Sequence, residues 1–447
     1  MAASRKPPPS KALVAEVADV LARHVFPHAR LTLALSGGLD SVVLLHALLA
    51  LRDQHAFDLR TVHVHHGLSP HADDWAGFCR ELCATHAVEL SIHCVQIARA
   101  DPAGIEAAAR RERQRIFAGL DADFLLTAHQ QDDQAETLLL QLLRGAGPKG
   151  LAAMGEVQRR PGWQAVQLRP LLGLSRSDLL LAAQEQELAW VDDESNLDTR
   201  YRRNALRQQV MPLLAQHFPG AGRTLARAAA LQADAADLLD DLARLDAREA
   251  IVGDRLDCAA LARLSTPRAR NLLRHFMEQH GQAMPSQRRL DEALHQLRSA
   301  HNDARVRVNL GQVDVWRFRG GAYLVPEAPP RAAPVRWQGE ATVWVPAAGL
   351  SVRMERVNGA GLKVAALEAC EVTLGVRAGG EHFRPQAGGP RRSLKNLLQE
   401  HAIPPWQRER LPLMWCDGRL VWAAGIGFEA DLCASPGEAG VLPHVEP

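Results

Sequence analysis

The segment LTLALSGGLDS, at residues 31–41, constrains this chain most. An apolar run leads there into small polar residues and then into the helical pattern VVLLHALLALR, which predicts a strand, a tight loop and the N-terminus of a helix. Glycines in such a loop omit the Cβ atoms that would keep an anion away from the backbone, while hydroxyl groups and free helix amides donate hydrogen bonds to it. The loop therefore predicts a phosphate site, and a nucleotide is its natural ligand.

The predicted nucleotide-binding residues of this loop are Ser36, Gly37, Gly38, Leu39, Asp40 and Ser41. A Walker loop fits worse because the segment has no lysine, and a dinucleotide-binding loop fits worse because no third glycine follows at its spacing. The acidic Asp40 within an anion site suggests a bridging metal ion. A glycine-rich turn without a ligand is the alternative.

The first half of the chain alternates apolar β-runs with segments of helix length. The runs are LTLAL, LRTVHVHH, ELSIHCV and DFLLTAH. This alternation predicts an α/β fold with a parallel sheet. Ligands of such sheets bind beyond the carboxyl ends of the strands, where SGGLDS, HVHHGL and AHQQDD all fall. We expect these three segments to converge on one crevice.

A helix is predicted after AHQQ, with a buried stripe at Ala135, Leu138, Leu139, Leu142 and Leu143. Asp133 and Glu136 then share another face, and their spacing of three residues puts both carboxylates within reach of one cation. Acidic residues in the first turn also stabilise a helix through its dipole, so the pair alone does not require a metal.

Seven segments together carry a resemblance to a known family. They are SGGLDS, AHQQDDQAET, LRGAG, WVDDESN, RRNALR, GGEHFRP and IPPWQR. The first is similar to the loop of the PP-loop ATP pyrophosphatases, which adenylate a carbonyl oxygen and release pyrophosphate. The whole series, in this order, resembles the tRNA(Ile)-lysidine synthase family in its long bacterial form with C-terminal domains.

The resemblance implies ligation of free L-lysine to C2 of the wobble cytidine in tRNA(Ile) with a CAU anticodon. Lysidine forms through an adenylated tRNA intermediate, and codon reading changes from AUG to AUA. ATP and Mg²⁺ are the implied cofactors. The implied catalytic residues are Asp40, His129, Asp133, Glu136, Asn196 and Arg207, of which Asp40, Asp133 and Glu136 are also the implied metal ligands. His129 is a candidate base for the lysine amine, and we expect His65, at a strand end, near the adenine.

A cluster of cations with interleaved aromatic residues lies near the C-terminus. The predicted tRNA-binding residues there are Arg384, Arg391, Arg392, Lys395, Trp406 and Arg408. The formal net charge of only +1 does not count against nucleic-acid binding, which depends on where cations cluster. Cations beside aromatic rings suit phosphate contact and base stacking, and a solvated surface is the alternative.

The length of 447 residues and the hydrophobic content of 47% suit two or three domains with buried cores. We predict a disordered tail at 1–10 and a PP-loop ATP-binding catalytic domain at 11–222. A helical substrate- and tRNA-binding domain at 223–328, a proline-rich linker at 329–340 and a small α+β C-terminal tRNA-binding domain at 341–447 follow. Heptad-like leucines in 231–245 are compatible with a homodimer and leave the oligomeric state open.

The chain has no apolar stretch of about 20 residues and no secretory-type start, which predicts a cytoplasmic protein without a membrane partner. Its seven cysteines are scattered without a CxxC pair. This predicts reduced, mostly buried thiols rather than a disulfide framework or a metal site.

Two other functions share parts of this pattern. A PP-loop tRNA thiolase adenylates a base with the same loop before sulfur transfer, and the absence of a CxxC pair counts against it. A catalytically silent nucleotide- or RNA-binding protein would bind ATP without turnover. The acidic residues Asp40, Asp133 and Glu136 favour an enzyme.

Overall fold

The computed structural model describes residues 8–97, 101, 104–194, 198–300, 306–327, 329 and 332–446. They form two compact units, one ending at Leu239 and one beginning at Asp240. Helix α1 (Pro9–His24) begins within the last two residues of the predicted N-terminal tail, and residues 1–7 lie outside the described part. Proline is tolerated at a helix start because the first amides have no intrahelical acceptor. None of the described helices has the length and apolarity needed to cross a membrane.

The first unit is built on a six-stranded sheet. Its strands are β1 (Ala29–Ala34), β2 (Phe57–His65), β3 (Glu89–Cys94), β4 (Phe124–Leu126), β5 (Val157–Gln158) and β6 (Val166–Leu168). The order across the sheet is β3-β2-β1-β4-β6-β5, and every pairing except that of β5 is parallel. The predicted α/β fold with a parallel sheet is confirmed. Strands β2 and β3 lie on one side of β1, and β4, β5 and β6 lie on the other. Ligands of doubly wound sheets bind at such a switch point.

Helices surround this sheet. After α1 they are α2 (Leu39–Leu51), α3 (Ala72–Thr85), α4 (Ile105–Ala118), α5 (Gln131–Leu142), α6 (Pro148–Leu151), α7 (Arg176–Glu185), α8 (Arg202–Ala205) and α9 (Met211–His217), with a π-helical turn at Leu206–Val210. The main core joins α1, α2 and α7 to the strands, and Leu33 and Leu44 are fully buried in it. Helix α2 is apolar on nearly every side because protein covers most of it.

Helix α5 buries a different face from the predicted one. Leu138 is buried as expected, but Leu142 and Leu143 are 56% and 77% exposed. Asp133 and Glu136 are buried instead, at 7% and 1% exposure. The predicted stripe was wrong in its second half, because leucine spacing does not reveal that a helix buries carboxylates through ion pairs.

The long helix α10 (Ala221–Ala250) contains the predicted boundary between residues 222 and 223 and runs into the second unit. Helices α11 (Cys258–Arg263), α12 (Thr266–Gln279) and α13 (Gln287–Ser299) follow. They share a core with an antiparallel sheet made of β7 (Ile251–Val252), β8 (Arg255–Asp257), β9 (Arg307–Asn309), β10 (Val313–Phe318) and β11 (Gly321–Pro326), in the order β7-β8-β11-β10-β9. The predicted small hairpin unit is thus part of a larger sheet.

The remaining chain forms two antiparallel sheets, a two-stranded ribbon and short helices. The strands are β12 (Val335–Arg336), β13 (Thr342–Val345), β14 (Leu350–Asn358), β15 (Leu362–Lys363), β16 (Val372–Gly375), β17 (His382–Phe383), β18 (Arg392–Ser393), β19 (Leu413–Cys416), β20 (Arg419–Ala423), β21 (Gly427–Phe428) and β22 (Ala439–Glu446). The helices are α14 (Val364–Glu368), α15 (Leu394–Glu400) and α16 (Pro405–Arg408), with a 3₁₀ turn at Ala430–Leu432. The sheet orders are β12-β16-β19-β20-β21 and β13-β14-β22-β15, and β17 pairs with β18.

One disulfide corrects the expectation of reduced thiols. Cys370 and Cys416 are bonded, with their Cα atoms 5.6 Å apart, which is a usual separation for such a bridge. Cys416 ends β19, and its neighbour across the sheet is Val372, two residues beyond Cys370. The other five cysteines are free. Scattered cysteines without a motif give no sign of this pairing, because strands distant in sequence bring the two residues together.

Candidate active site

The loop between β1 and α2 is shaped by its own hydroxyl groups and by one glycine. Ser36 N and Ser36 Oγ lie 3.2 and 3.1 Å from Ser41 Oγ, which donates to Gly38 O at 2.9 Å. Gly37 has a φ of +87°, and a Cβ there would lie 2.9 Å from a Val191 methyl carbon. A side chain at Gly37 would strain the backbone and displace its neighbour. The first amides of α2 lack intrahelical acceptors and remain available to an anion.

Asp40 carries an unsatisfied oxygen in this loop. Its Oδ1 is buried and has no hydrogen-bond partner among the described residues. Burial, together with the nearby Asp133 carboxylate, raises the pKa of Asp40 to about 6. Leu39 beside it is buried, so its predicted contact with a nucleotide is limited to the backbone. A buried carboxylate oxygen without a partner, next to an anion loop, suits a hard cation held between protein and phosphate.

Two arginines bind the two acidic residues of α5. Arg203 Nη2 lies 2.7 Å from Asp133 Oδ1, and Arg203 Nε lies 2.9 Å from Glu136 Oε2. Arg207 binds the same two acidic residues. Its Nη2 lies 2.9 Å from Asp133 Oδ1, and its Nε lies 2.6 Å from Glu136 Oε1. Asp133 Oδ2 accepts the amide of Gln130, the N-cap of α5, at 3.0 Å. Every carboxylate oxygen of Asp133 and Glu136 therefore has a donor.

The three predicted metal ligands, Asp40, Asp133 and Glu136, do not lie close enough together to surround one cation. Asp40, Asp133 and Glu136 form no group with ligand oxygens within 4.8 Å of one another in the part of the chain that the structure describes. Of the three, Asp40 is the residue with a buried oxygen left unpartnered. The residues present fit a cation on Asp40, whereas Asp133 Oδ1 and both Glu136 oxygens accept from arginines and Asp133 Oδ2 accepts from the Gln130 amide.

Arg207 is among the site residues predicted from the sequence, and Arg203 is not. Both lie in RRNALR, four residues apart, a spacing that places side chains on one face of a helix. That spacing opposite an acidic pair is the signal that could have identified Arg203. Arg203 belongs to α8, and Arg207 belongs to the π-helical turn that follows it. Single π turns inside helices are frequent at functional sites.

The histidines at the end of β2 are held by protein groups. His63 is buried and its Nδ1 donates to Leu35 O at 2.9 Å. Its neighbour Val62 is buried as well, because parallel sheets are covered on both faces. His65 Nε2 lies 3.1 Å from Asp73 Oδ1. The predicted place of His65 near adenine stays a prediction.

His129 follows β4 and has a neutral ring at ordinary pH. Burial lowers the pKa of His129 to about 4, with the Asp133 carboxylate opposing this shift and Arg169 and Arg203 adding to it. A group with this pKa is a poor acceptor for a proton from an ammonium group. The ring Nδ1 lies 3.1 Å from Thr127 Oγ1. The role of His129 as a base for lysine is therefore not favoured.

Asn196, another predicted catalytic residue, lies outside the described residues.

The cations predicted to bind tRNA lie in the second unit and differ in their partners. Arg384 pairs with Asp431 at 3.4 Å, and Arg392 pairs with Glu400. Lys395 is exposed on α15 and has no hydrogen bond or ion pair within the described ranges. Of these three, Lys395 is the most available to a phosphate.

Two further predicted residues bind backbone carbonyls. Arg391 Nη2 donates to His382 O at 3.2 Å, and Arg408 Nε donates to Ile403 O at 2.6 Å. The Arg391 guanidinium has donors beyond this bond, so its contact with the carbonyl does not prevent it from binding a phosphate. Arg408 takes part in a further interaction within the protein.

Trp406 packs against three aromatic rings of the antiparallel sheet. Its ring centroid lies 5.7 Å from that of Trp316, 5.9 Å from Phe318 and 5.0 Å from Tyr323. These separations are typical of favourable aromatic pairs. In this structure Trp406 serves as a packing residue between α16 and strands β10 and β11, and a base stacking on it would compete with those contacts.

Comparison with known proteins places these features in one family. The chain matches a model described as PP-loop domain over residues 9–214, one described as TilS substrate binding domain over 256–323, and one described as TilS substrate C-terminal domain over 372–445. These spans include the loop at Ser36–Ser41, the three aromatic residues of β10 and β11 that contact Trp406, and the C-terminal cations.

Curated relatives agree over nearly their whole length. The tRNA(Ile)-lysidine synthase of Nitrosomonas europaea is 43% identical, covering 94% of this chain and 93% of the relative. Those of Azoarcus sp. and Aromatoleum aromaticum are each 45% identical, covering 96% and 95% of this chain and 95% and 99% of the relatives. The predicted resemblance is confirmed, and this chain belongs to the tRNA(Ile)-lysidine synthase family.

Proposed function

We propose that this protein uses ATP to join lysine to C2 of the wobble cytidine of tRNA(Ile) with a CAU anticodon. The observation that carries the proposal is the loop Ser36–Ser41 at the start of α2, with the unpartnered Asp40 oxygen beside the acidic pair of α5. The family relationship supports the choice of tRNA and of lysine as substrates.

The reaction takes two steps. The C2 oxygen of the cytidine attacks the α-phosphorus of ATP, a phosphoester bond forms, and pyrophosphate leaves. The lysine amine then attacks C2, and AMP leaves with the former C2 oxygen while the amine loses a proton. Adenylation is needed because a pyrimidine carbonyl oxygen is a poor leaving group, whereas AMP leaves readily.

The residues of the first unit divide this work. The loop amides and hydroxyl groups bind the phosphates and stabilise the charge of the departing pyrophosphate. Mg²⁺ would be held by Asp40, where it would offset phosphate charge. Asp133 and Glu136 fix Arg203 and Arg207, whose remaining donors can bind a phosphate or a carboxylate. Asn196, a catalytic residue that the family resemblance implies, completes the proposed set.

The second unit would bind the body of the tRNA. Lys395, Arg391 and Arg392 are the phosphate contacts that we favour, and Arg384 and Arg408 complete the proposed set. The protein would act in the cytoplasm, where tRNA, ATP and free lysine meet.

If it forms a homodimer, the candidate contact is the stripe of Leu231, Leu238 and Leu245 on α10, which are 61%, 69% and 55% exposed. Sedimentation of Leu238→Asp beside the unaltered protein measures this.

The test is incorporation of radiolabelled lysine with ATP into unmodified tRNA(Ile) with a CAU anticodon, beside the methionine tRNA that shares the anticodon. We expect lysine in the isoleucine tRNA alone, with one AMP and one pyrophosphate released per lysine. Asp40→Ala should fold and lose adenylate formation. Pyrophosphate release without lysine incorporation would instead favour thiolation, and ATP binding without any turnover would favour a silent binding protein.

A further inference from the structure

A chain of hydrogen bonds runs from an arginine to the ring of His129. Arg160 Nε donates to Gln167 Oε1 at 3.3 Å, and Gln167 Nε2 donates to Thr127 Oγ1 at 3.0 Å. Thr127 Oγ1 in turn lies 3.1 Å from His129 Nδ1. The side chains of Gln167 and Thr127 are buried, while His129 is partly exposed. This series of hydrogen bonds therefore connects the buried side chains of Gln167 and Thr127 to a histidine ring that can reach a substrate.

The first bond has a fixed direction because an arginine has donors only. Gln167 must therefore present its amide oxygen to Arg160 and its amide nitrogen to Thr127. Arg160 is itself held in place, since its Nη2 donates to Gln158 Oε1 at 3.1 Å. Arg169 Nη2 donates to the same oxygen at 2.7 Å. The orientation of the Gln167 amide is thus set by a permanent cation that the neighbouring side chains hold in place.

The direction then passes to the histidine. Thr127 Oγ1 accepts from Gln167, so its own proton needs an acceptor. Within the described residues, the other hydrogen-bond partner of this hydroxyl is His129 Nδ1. When the hydroxyl donates there, Nδ1 carries no proton and the proton of the neutral ring lies on Nε2. The opposite tautomer would leave a buried hydroxyl proton without an acceptor, which is unfavourable.

The surroundings of His129 keep the ring neutral. Burial, with the cations Arg169, Arg203 and Arg113, lowers the pKa of His129, and the carboxylate of Asp133 acts in the opposite direction. A neutral ring has one proton, which the hydrogen-bond chain directs to Nε2. Nε2 has no hydrogen-bond partner in the described part of the protein, so it is free to donate to a ligand.

We propose that Thr127 and Gln167 are positioning residues that hold His129 as the Nε2–H tautomer, and that His129 donates this hydrogen bond to an oxygen of the reacting substrate. The inference rests on the proposed function, because adenylation of a carbonyl oxygen develops negative charge on oxygens at the α-phosphate. A fixed neutral donor stabilises such charge without taking up a proton. Removal of the lysine proton then belongs to another group or to water.

The tautomer can be measured on the full chain without any substrate. Long-range ¹H–¹⁵N spectra of protein labelled with ¹⁵N-histidine report which ring nitrogen carries the proton, and the His129→Gln variant identifies the signals. We expect the Nε2–H pattern between about pH 6 and pH 8. Thr127→Ser, which keeps the hydroxyl, should preserve this pattern, and Thr127→Val should give a mixture of the two tautomers. The Nδ1–H pattern or a cationic ring in the unaltered protein would overturn the proposal.

Two further variants guard against a failure to fold. Thr61→Val is a matched control, because Thr61 is a buried threonine of β2 whose Oγ1 donates to Glu89 O at 2.9 Å, and it should leave the His129 signals unchanged. Gln167→Leu removes the bond that orients Thr127 and should give a mixture of the two tautomers. A pure Nε2–H ring in both Thr127→Val and Gln167→Leu would contradict the positioning roles.

Lysine incorporation then separates a donor from a base. Glutamine can donate a hydrogen bond but is no base, and leucine can do neither. His129→Gln should keep kcat within about tenfold of the unaltered protein, whereas His129→Leu should lose about 100-fold or more. Equal losses would overturn the donor role. The expected tautomer in a protein that never incorporates lysine would count against the proposed function alone, since the spectra need no turnover.

Discussion

The Arg207 guanidinium binds the Glu136 carboxylate through two parallel hydrogen bonds, Nε to Oε1 at 2.6 Å and Nη2 to Oε2 at 3.0 Å. The Glu136 side chain is 2% exposed and that of Arg207 is 30% exposed, so the carboxylate lies almost out of water while the guanidinium keeps some contact with solvent. A bidentate arginine–carboxylate pair of this kind is a strong interaction. Removing one partner leaves the other charge poorly solvated and without that counter-ion.

Glu136→Gln should therefore destabilise the first unit by about 3 kcal/mol, because Arg203 and Arg207 lose one of the two carboxylates that they share. The midpoint of urea unfolding, followed by a probe in this unit, measures the effect. The matched control is Glu156→Gln, which breaks more exposed contacts with Arg23 and His24, whose side chains are 51% and 30% exposed against 35% for Glu156. That change should cost less than about 1 kcal/mol. Equal effects of the two substitutions would contradict the buried ion-pair cluster.

Asp40→Asn should stabilise the free protein near neutral pH while abolishing adenylation. The pKa of Asp40 is raised to about 6 in the folded protein, against 3.8 as the ordinary value. Between these two values the folded state holds a proton that the unfolded state has released, so stability falls as pH rises through this window. Above about pH 6, the buried Asp40 carboxylate lowers the free energy of unfolding by a constant amount of about 3 kcal/mol at most.

Thermal unfolding of both proteins in EDTA buffer, at a series of pH values, tests this. The variant should be the more stable protein above pH 6, and the difference should shrink towards zero near the ordinary pKa of 3.8. A difference that does not vary with pH would show that Asp40 is not a strained buried carboxyl.

Thiol titration should distinguish the bonded from the free cysteines. Denatured protein that has met no reductant should react with five thiol equivalents, and reduced protein with seven, because Cys370 and Cys416 are bonded. Reduction should also lower the stability of the second unit by about 2–4 kcal/mol, since it frees two positions 46 residues apart in the chain. Cys370→Ser should titrate six thiols with or without reductant; seven thiols in the unreduced, unaltered protein would refute the bridge.

Trp406→Ala should destabilise the free protein by about 3 kcal/mol, because Trp406 fills a space among three aromatic rings. Trp344→Ala is the matched control, since Trp344 is 54% exposed and should change stability by less than about 1 kcal/mol. Chemical unfolding without tRNA gives both values. Weaker tRNA binding by Trp406→Ala, with its stability unchanged, would restore the stacking role predicted from the sequence.

Lys395→Ala should reduce the salt dependence of tRNA binding. When a protein gives up one cation that binds a phosphate, the slope of log K against log salt concentration falls by about 0.7–0.9. Lys11→Ala removes another exposed lysine, from α1 in the first unit, and should leave the slope unchanged. Equal slopes for Lys395→Ala and the unaltered protein would remove Lys395 from the interface.

The sequence was most informative where local pattern and chemistry coincide. The strand, glycine loop and helix around Ser36–Ser41 follow from residue type alone, and so does the parallel sheet. It was less informative where partners are distant. Nothing near Cys370 indicates Cys416, and nothing in α5 shows that Arg203 and Arg207 neutralise its acids.

Similar limits apply to side chains that pattern cannot distinguish. Trp406 among cations has the composition of a stacking site, yet its neighbours in space are three aromatic residues from another part of the chain. The predicted buried stripe of α5 failed at Leu142 and Leu143, because helical spacing shows which residues share a face and not which face is covered.

The π-helical turn at Leu206–Val210 has a consequence for changes in chain length. A π turn accommodates one residue more than an α turn, and each residue of an α-helix rotates the chain by about 100°. Because the turn already holds this extra residue, deleting one residue from it would restore regular winding and leave Met211–His217 facing nearly the same way relative to Arg203. A deletion within the α-helical part would instead rotate all the residues beyond it by about 100°, so this short turn should tolerate the loss of one residue far better than the helix next to it.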